Sequence, residues 1–270
     1  MATWELDGPD KLAFDQVDRV LVRVVEGAVD VVGSDDQPTL EVSELTGEPL
    51  QVRHQGGELT IDYKHPRRLG PLAWLMGRGQ RCKTVLSLAV PRDCPVELHV
   101  VSASVMVGGL RAPVLAKTIS GEITLAGLGG EADADTVSGA VQASGVTGDL
   151  TAKTVSGDLT VAEGGGGSVR ARTVSGAVAI DLLASGERDI QLSSVSGDLT
   201  VRVPGASDLR VRLQSTTGRV ASAFEELEHE RAPGRHAASG RLGAGSGRLK
   251  ATSVSGHVAL LRRAAPEGSS

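Results

Sequence analysis

One four-residue phrase, Thr/Ser-Val-Ser-Gly or a close variant, returns seven times from residue 118 onward and constrains the fold more than any other feature. The copies begin at Thr118, Thr136, Thr154, Thr173, Ser194, Ser215 and Ser253. Subtracting the positions of their glycines gives steps of 18, 18, 19, 21, 21 and 38 residues, the last being close to two steps. A period of this length is typical of stacked structural repeats.

The residues around each phrase alternate as they do in a strand. Apolar or small residues stand two and four positions before the Thr or Ser, as Ala152 does before Thr154. This is the period of a strand with one buried face. After the Thr or Ser the parity changes, and in the third repeat Val155 and Leu159 fall in the apolar set. We therefore predict two short strands per repeat, a bend at the Thr-Val junction, and Thr154 on the outward side.

The repeat length predicts a coil. At roughly 3.3 Å per residue, about 18 residues go once around a small coil. Stacked coils pair each strand with its equivalent in the next turn, which gives parallel ladders. Aromatic residues are only 2% of the chain, so Val, Leu and Ala must fill the core. The sequence thus predicts an all-β fold, a single-chain parallel β-solenoid with coils of roughly 18–21 residues and a β-rich N-terminal leader or cap.

The pattern also divides the chain. The leader holds most of the aromatic residues and is continuous with the solenoid in this interpretation, since Val25–Val31 resembles a degenerate repeat. Terminal repeats need caps, so we expect the leader to close the coil stack. The predicted segments are a leader and cap at 1–63, a basic and apolar insertion loop at 64–83, solenoid repeats at 84–261 with an insertion at about 222–236, and a flexible tail at 262–270.

The insertion loop carries six Lys and Arg residues, no acidic residue and a central apolar run. A cationic segment with Trp and Leu at its centre can rest on an anionic membrane surface. The alternative is a loop that folds back over the cap, its cations facing the acidic leader. The candidate membrane or partner contacts are Arg67, Arg68, Leu72, Trp74, Leu75, Met76, Arg78 and Arg81.

Composition narrows the classes of function. A net charge of −5 does not favour a nucleic-acid binder, and no stretch approaches the roughly 20 apolar residues of a membrane span. The first residues show no basic and apolar signal segment, which predicts a cytoplasmic protein, with peripheral contact at the inner membrane face as an extension. Cys82 and Cys94 are expected to be free thiols, with a disulfide between them as the alternative.

Catalytic and metal-binding patterns are not found. Glycan cleavage needs carboxylates clustered at defined separations, whereas the position after each Ser-Gly is acidic in only some repeats. The six histidines show no metal-ligand spacing, and no nucleophile elbow or phosphate loop occurs. We predict no enzyme, no cofactor and no metal site. The alternative kept open is a glycan-acting parallel β-helix enzyme with Asp158 and Asp198 as its acidic pair.

The phrase Thr-Val-Ser-Gly-Asp-Leu, complete at 154–159 and nearly so at 118–123 and 194–199, resembles a bacterial β-strand-repeat family. That family carries the label "putative adhesin" and is otherwise a domain of unknown function. The strand Val85–Pro91 is similar to the strand that leads into the family's repeats, and the resemblance covers roughly residues 17–261. It implies a repeat fold and supplies no catalytic residues. The start of this chain shows no export signal, which does not favour a surface adhesin.

These observations predict a non-catalytic interaction or scaffold protein that presents a rigid, repetitive surface to a protein partner or to itself. The alternative is a filament of solenoids stacked end to end, because an open solenoid end exposes unpaired backbone. The last repeat, Val254–Leu261, is followed by only nine residues, so we expect that end to be poorly covered.

Overall fold

The computed structural model describes residues 2–63, 82–164, 166–183 and 188–263. In these ranges the chain forms 24 β-strands and no α-helix, so no described helix could cross a membrane. The chain divides into two compact units, Met1–Glu131 and Ala132–Ser270. The prediction of an all-β, mainly parallel solenoid is confirmed.

The described residues of the first unit form ten strands. They are β1 (Ala2–Leu6), β2 (Asp10–Ala13), β3 (Arg19–Ser34), β4 (Thr39–Thr46), β5 (Leu50–Gln55), β6 (Glu58–Tyr63), β7 (Lys83–Pro91), β8 (Val96–Gly108), β9 (Val114–Lys117) and β10 (Ile123–Ala126).

Two long strands of this unit each supply both halves of a coil. β3 pairs with β8 in parallel from Val20↔Val96 to Val32↔Gly108, and β8 pairs in parallel with β9 and β10. In β3 the buried residues have even numbers up to Val24 and odd numbers from Val29. The parity changes at Gly27, where a Cβ atom would lie 1.9 Å from the Thr84 carbonyl oxygen. The first coil of this unit therefore lies within the leader.

Antiparallel strands close the other edge of β3. Its first half pairs with β6 and its second half with β7, both in parallel. Beyond them the pairs β5–β6, β1–β5, β4–β7 and β2–β4 are antiparallel. Phe14 is buried here, with its ring 5.6 Å from Trp4 and 5.5 Å from His54 in edge-on contacts. Aromatic side chains thus add to the core of the antiparallel region, where Leu40, Val42, Leu50 and Val52 are also buried.

In the second unit, fourteen strands are formed by the residues that the structure describes. They are β11 (Ala132–Asp135), β12 (Val141–Ser144), β13 (Leu150–Lys153), β14 (Leu159–Gly164), β15 (Val169–Arg172), β16 (Val178–Leu182), β17 (Asp189–Ser194), β18 (Leu199–Pro204), β19 (Leu209–Ser215), β20 (Val220–Ser222), β21 (Leu227–Ala232), β22 (Arg235–Leu242), β23 (Gly247–Ser253) and β24 (Val258–Arg263).

The coils of this unit do not stack in chain order. Two parallel ladders run through β11, β13, β15, β17 and through β12, β14, β16, β18. β23 then lies between β17 and β19, and β24 lies between β18 and β20. The last repeat in the sequence is therefore next to last in the stack. The expectation that Val254–Leu261 forms a poorly covered end is wrong.

A β-hairpin covers the coil that does end this stack. β22 pairs with β19, and β21 pairs with β22, both antiparallel. Phe224 is buried just before the hairpin, and the Arg262 guanidinium lies 4.9 Å from the centre of its ring. β21 pairs on one side only among the described strands, and its exposed residues include Glu228, Glu230 and Arg231. Charges of this kind protect an edge strand from pairing with other chains.

The bend between the two strands of a coil lies at the predicted Thr-Val junction, but the side chains on either side of it point the opposite way from the prediction. Thr154 faces the core and is 6% exposed, whereas Val155 and Ser156 both point outward, and the inward alternation resumes at Gly157. The Thr154 hydroxyl oxygen accepts a hydrogen bond of 2.9 Å from the Gly157 amide. The bend therefore follows the Thr, because the buried hydroxyl satisfies an amide that the turn removes from the ladder.

Glycine is required at this corner by close packing. A Cβ atom on Gly157 would lie 1.8 Å from the Gly139 carbonyl oxygen, and one on Gly176 would lie 1.8 Å from that of Gly157. Each corner rests on the backbone of its neighbour, and any side chain would force the coils apart.

The corner hydrogen bond predicts the effect of a matched pair of substitutions. Thr154→Val keeps the shape but leaves the buried Gly157 amide without its acceptor, so we expect the free energy of unfolding to fall by ~1–3 kcal/mol. Thr154→Ser keeps the acceptor, as Ser194 does in its own corner, and should cost about 1 kcal/mol or less. Urea unfolding followed by circular dichroism measures both, and a larger loss for Thr154→Ser would contradict the role of the hydroxyl.

The charged edge of β21 gives a second prediction. Replacing Glu228 and Glu230 with Thr and Arg231 with Val removes the charges and raises strand propensity. We expect the variant to self-associate through this edge, with a molar mass in light scattering that grows with concentration.

A control removes as many charges from strands that are paired on both edges. Lys153→Thr, Arg172→Thr and Lys250→Thr lie on β13, β15 and β23, and this variant should keep the mass of the parent protein. Equal association of both variants would show that the loss of three surface charges at any place, rather than at the unpaired edge, causes association.

Candidate interaction surfaces

The predicted contact residues of the insertion loop, from Arg67 to Arg81, lie outside the described residues. At the border of that loop, Lys83 is described, and its Nζ atom lies 2.8 Å from Glu44 Oε2 in the leader. The membrane contact and the loop alternative both stay predictions.

A row of exposed valines follows the corner of the second unit. Five of its six corners carry Val directly after the buried Thr or Ser, and these side chains are 45–49% exposed. Backbone hydrogen bonds of 2.8–3.2 Å link each corner to the next. Parallel coils lie about 4.8 Å apart, so the five side chains form a line of about 20 Å. We call them the valine row: Val137, Val155, Val174, Val195 and Val254.

Hydrogen bonds from the next coil hold the backbone of the valine row in place. The Val155 carbonyl accepts a hydrogen bond of 3.0 Å from the Ser175 amide and one of 3.3 Å from its hydroxyl. Val174 receives the same pair from Ser196, at 2.8 Å and 3.2 Å. Each serine hydroxyl therefore donates to the carbonyl of the neighbouring corner and keeps its acceptor capacity for solvent or a ligand. Valine is stiff at χ1, so the row presents apolar groups with little freedom to lose on binding.

Sequence reasoning missed this surface because it placed Val155 in the buried set by parity. A corner interrupts the alternation of a strand, so parity cannot be carried across it. The sequence nevertheless contains one indication that the corner valines differ from the buried residues. The corner position is Val in five of six coils, whereas the buried strand positions vary among Ala, Val, Leu and Ile.

A second surface of this unit is basic. In the outward-facing register, Arg210 stands opposite Arg248 on one side and Arg241 on the other. Arg212 stands opposite Lys250 in the same sheet. Like charges directly opposite each other destabilise a sheet. We call these five residues the basic face.

An open cavity of about 580 Å³ adjoins the basic face. Arg188 is buried beside it, and its Nη1 atom donates a hydrogen bond of 2.9 Å to the Gly164 carbonyl. Burial lowers the pKa of the Arg188 guanidinium. The cavity is lined by Asp149, Gly166, Gly167, Ser168, Arg188, Asp189, Arg210, Ser246, Gly247 and Arg248.

Two carboxylates in the cavity wall have different surroundings. Asp149 Oδ1 accepts a hydrogen bond of 2.8 Å from the Ser168 amide. Asp189 Oδ2 accepts one of 2.7 Å from Gln191 Nε2, while its Oδ1 atom has no hydrogen-bond partner among the described residues. The wall therefore combines guanidinium donors with a carboxylate whose Oδ1 atom is buried and whose Oδ2 atom can accept a further hydrogen bond.

The acidic pair considered for glycan cleavage has structural partners. Asp158 Oδ1 accepts a hydrogen bond of 2.8 Å from the Ala177 amide, and Asp198 Oδ1 accepts one of 2.7 Å from the His257 amide. Each carboxylate thus links its turn to the next coil.

The metal-ligating residue types and the cysteines in the described part of the chain indicate no further site. No group of three His, Cys, Asp or Glu residues there could hold a metal ion. Cys82 and Cys94 do not form a disulfide with each other. Burial raises the pKa of Cys94 to about 11, which makes that thiol a poor nucleophile.

Solved structures resemble this fold at low sequence identity. A "putative lipid binding protein" from Parabacteroides distasonis ATCC 8503 has a TM-score of 0.51 at 14% identity, covering 95% of this chain and 98% of its own. A "putative adhesin" from Bacteroides fragilis NCTC 9343 has a TM-score of 0.49 at 10% identity, covering 94% and 98%. At 14% identity, the likeness to the first of these structures speaks for the fold alone. No curated protein is significantly similar in sequence.

The family resemblance that rested on the repeated phrase is confirmed. The model of the family described as Toastrack DUF4097 matches residues 29–261, which include most of the leader as well as all seven corners. The chain therefore belongs to the Toastrack DUF4097 family, whose function is unknown.

Proposed function

We propose that this protein is a non-catalytic binding module and that the valine row is its contact surface for a protein partner. The observation that carries the proposal is the alignment of five valines, each nearly half exposed, on consecutive corners of one rigid stack. Exposed apolar groups that lie singly need no explanation, but a continuous line of them marks an interaction site.

The geometry defines the kind of partner surface that fits. The row is one side chain wide and about 20 Å long, so it fits an apolar groove rather than a flat face. Beside it run the corner serines, whose hydroxyls already donate to the corner carbonyls, as Ser175 does to Val155 at 3.3 Å. The partner should therefore supply hydrogen-bond donors along the edge of its groove.

The expected strength follows from the area that binding would cover. Burying the exposed half of a valine side chain stabilises a complex by about 1 kcal/mol. One substitution should then weaken binding about fivefold, and three should weaken it about a hundredfold. Each substitution should lower the free energy of unfolding by about 1 kcal/mol at most, because about half of each side chain already faces water.

A triple variant tests the proposal. In Val155→Ser, Val174→Ser and Val195→Ser, the centre of the row loses its apolar groups while the corner hydrogen bonds remain. We expect the partner recovered with the parent protein to be lost with this variant. The recovered partner, once purified, should bind the variant about a hundredfold more weakly in calorimetry.

The control has three residues of similar exposure outside the row, Val32→Ser, Met106→Ser and Leu183→Ser. It should bind like the parent protein. A partner held equally by all three proteins would contradict the proposal. If the parent is a dimer in light scattering and the row variant a monomer, the groove belongs to a second copy and the proposal of a different partner protein is wrong.

The filament alternative has less support. The coil that ends the second unit is covered by the β21–β22 hairpin, and the free side of that hairpin is charged. The cytoplasmic location and the membrane contact of the insertion loop remain proposals from the sequence. Fractionation of cells into cytosol, membrane and protease-accessible surface pools would show in which compartment the partner should be sought.

A further inference from the structure

The basic face concentrates cations that the chain itself does not neutralise. The net charge of the chain is −5, yet Arg241, Arg210 and Arg248 occupy one row across three adjacent strands. Among the described residues, the side chains of Arg241 and Arg248 make no hydrogen bond or ion pair, and Arg210 only donates from Nε to the Gly245 carbonyl at 3.0 Å. Like-charged neighbours with free donors suit an anion that bridges them.

The row of arginines continues into the cavity and ends at the carboxylate of Asp189. Asp189 stands opposite Arg248, which stands opposite Arg210, and all three line the cavity. Strand separation places successive positions about 4.8 Å apart. A ligand lying along the row would therefore meet two guanidinium groups and then a carboxylate. The Asp189 side chain is 36% exposed, and its Oδ2 atom accepts one hydrogen bond from Gln191, so this oxygen can accept another from a ligand hydroxyl.

This order of charges selects a chemical class. A plain anion would be attracted by Arg210 and Arg248 but repelled by Asp149 and Asp189. A phosphate joined to a hydroxyl-bearing carbon chain meets both requirements, because guanidinium groups bind phosphate in a bidentate manner and hydroxyls donate to carboxylates. The cavity volume of about 580 Å³ is within the usual range for small-molecule sites.

We infer that this cavity binds a polyol phosphate, with the phosphate on Arg210 and Arg248 and a hydroxyl on Asp189. Glycerol phosphate is the simplest member of the class, and it occurs both as a free molecule and as the headgroup of phosphatidylglycerol. None of these residues belongs to the valine row, so the site is independent of the proposed partner contact.

Calorimetry at low ionic strength tests the site, with the whole chain and glycerol 3-phosphate as the probe. We expect saturable binding that weakens about tenfold in Arg248→Gln and again in Arg210→Gln, because each change removes a charge-assisted contact. Inorganic phosphate should bind about tenfold more weakly than glycerol 3-phosphate, since it lacks the hydroxyl that donates to Asp189.

The matched control is Arg172→Gln, an exposed arginine on the outward side of β15 that does not line the cavity. It should bind the probe like the parent protein. An equal loss in Arg172→Gln, or no binding up to about 10 mM, would overturn the site. Equal affinity for inorganic phosphate would overturn the assignment of Asp189 to a hydroxyl.

Vesicles separate the two sources of the ligand. The parent protein and the Arg248→Gln variant are each mixed with phosphatidylglycerol vesicles and, as a control, with phosphatidylcholine vesicles. If only the phosphatidylglycerol vesicles bind the parent protein, and they do not bind the variant, the lipid headgroup is the source of the ligand. Binding of soluble glycerol 3-phosphate without such vesicle binding would identify a free polyol phosphate. Vesicle binding that ignores Arg248→Gln, combined with no soluble binding, would overturn the inference, and the valine-row experiment would be unaffected.

Discussion

The hydrogen bond from each corner glycine amide to the hydroxyl three residues earlier holds the repeat together. It recurs at 2.7–3.0 Å in all seven corners, from Thr118 to Ser253. Without it a buried amide would have no partner at the point where the chain leaves one ladder and joins another. Because the glycine has no side chain, its Cα can also rest on the carbonyl of the neighbouring coil. The same four-residue phrase thus supplies the hydrogen-bond acceptor that the turn needs and the glycine that close stacking of the coils needs.

The surface proposed for binding is a consequence of this corner. Turning the Thr or Ser inward forces the next two residues outward, so that a valine is exposed and the following serine is free to bond the adjacent corner. In a regular strand successive side chains point to opposite faces, so either the valine or the serine would have been buried. The same bonds that build the coil therefore hold the valines in line, and exposure there is a fixed feature of the fold rather than a local defect in packing.

Charge is organised by register in the same way. The overall balance is slightly acidic, but parallel stacking brings Arg210 and Arg248 side by side although 38 positions separate them in the chain. Hairpin pairing adds Arg241 on the other side. The net charge of the chain does not reveal a surface of this kind. Such a surface depends on which strands become neighbours and on which face of the sheet each charged residue lies.

The sequence by itself determined the period, the pairing of strands in parallel and the buried Ala, Val and Leu positions, since these follow from local alternation and from the length of one coil. It predicted the wrong side for Thr154 and Val155, because alternation holds within a strand and fails at a corner. Only the tertiary structure decided the order of the coils. The edges of β17, β23 and β19 carry equivalent backbone groups, so the repeat pattern cannot say which strands meet. The β21–β22 hairpin occupies the outer edge of β19, which leaves the inner edge to β23 and assembles the basic face.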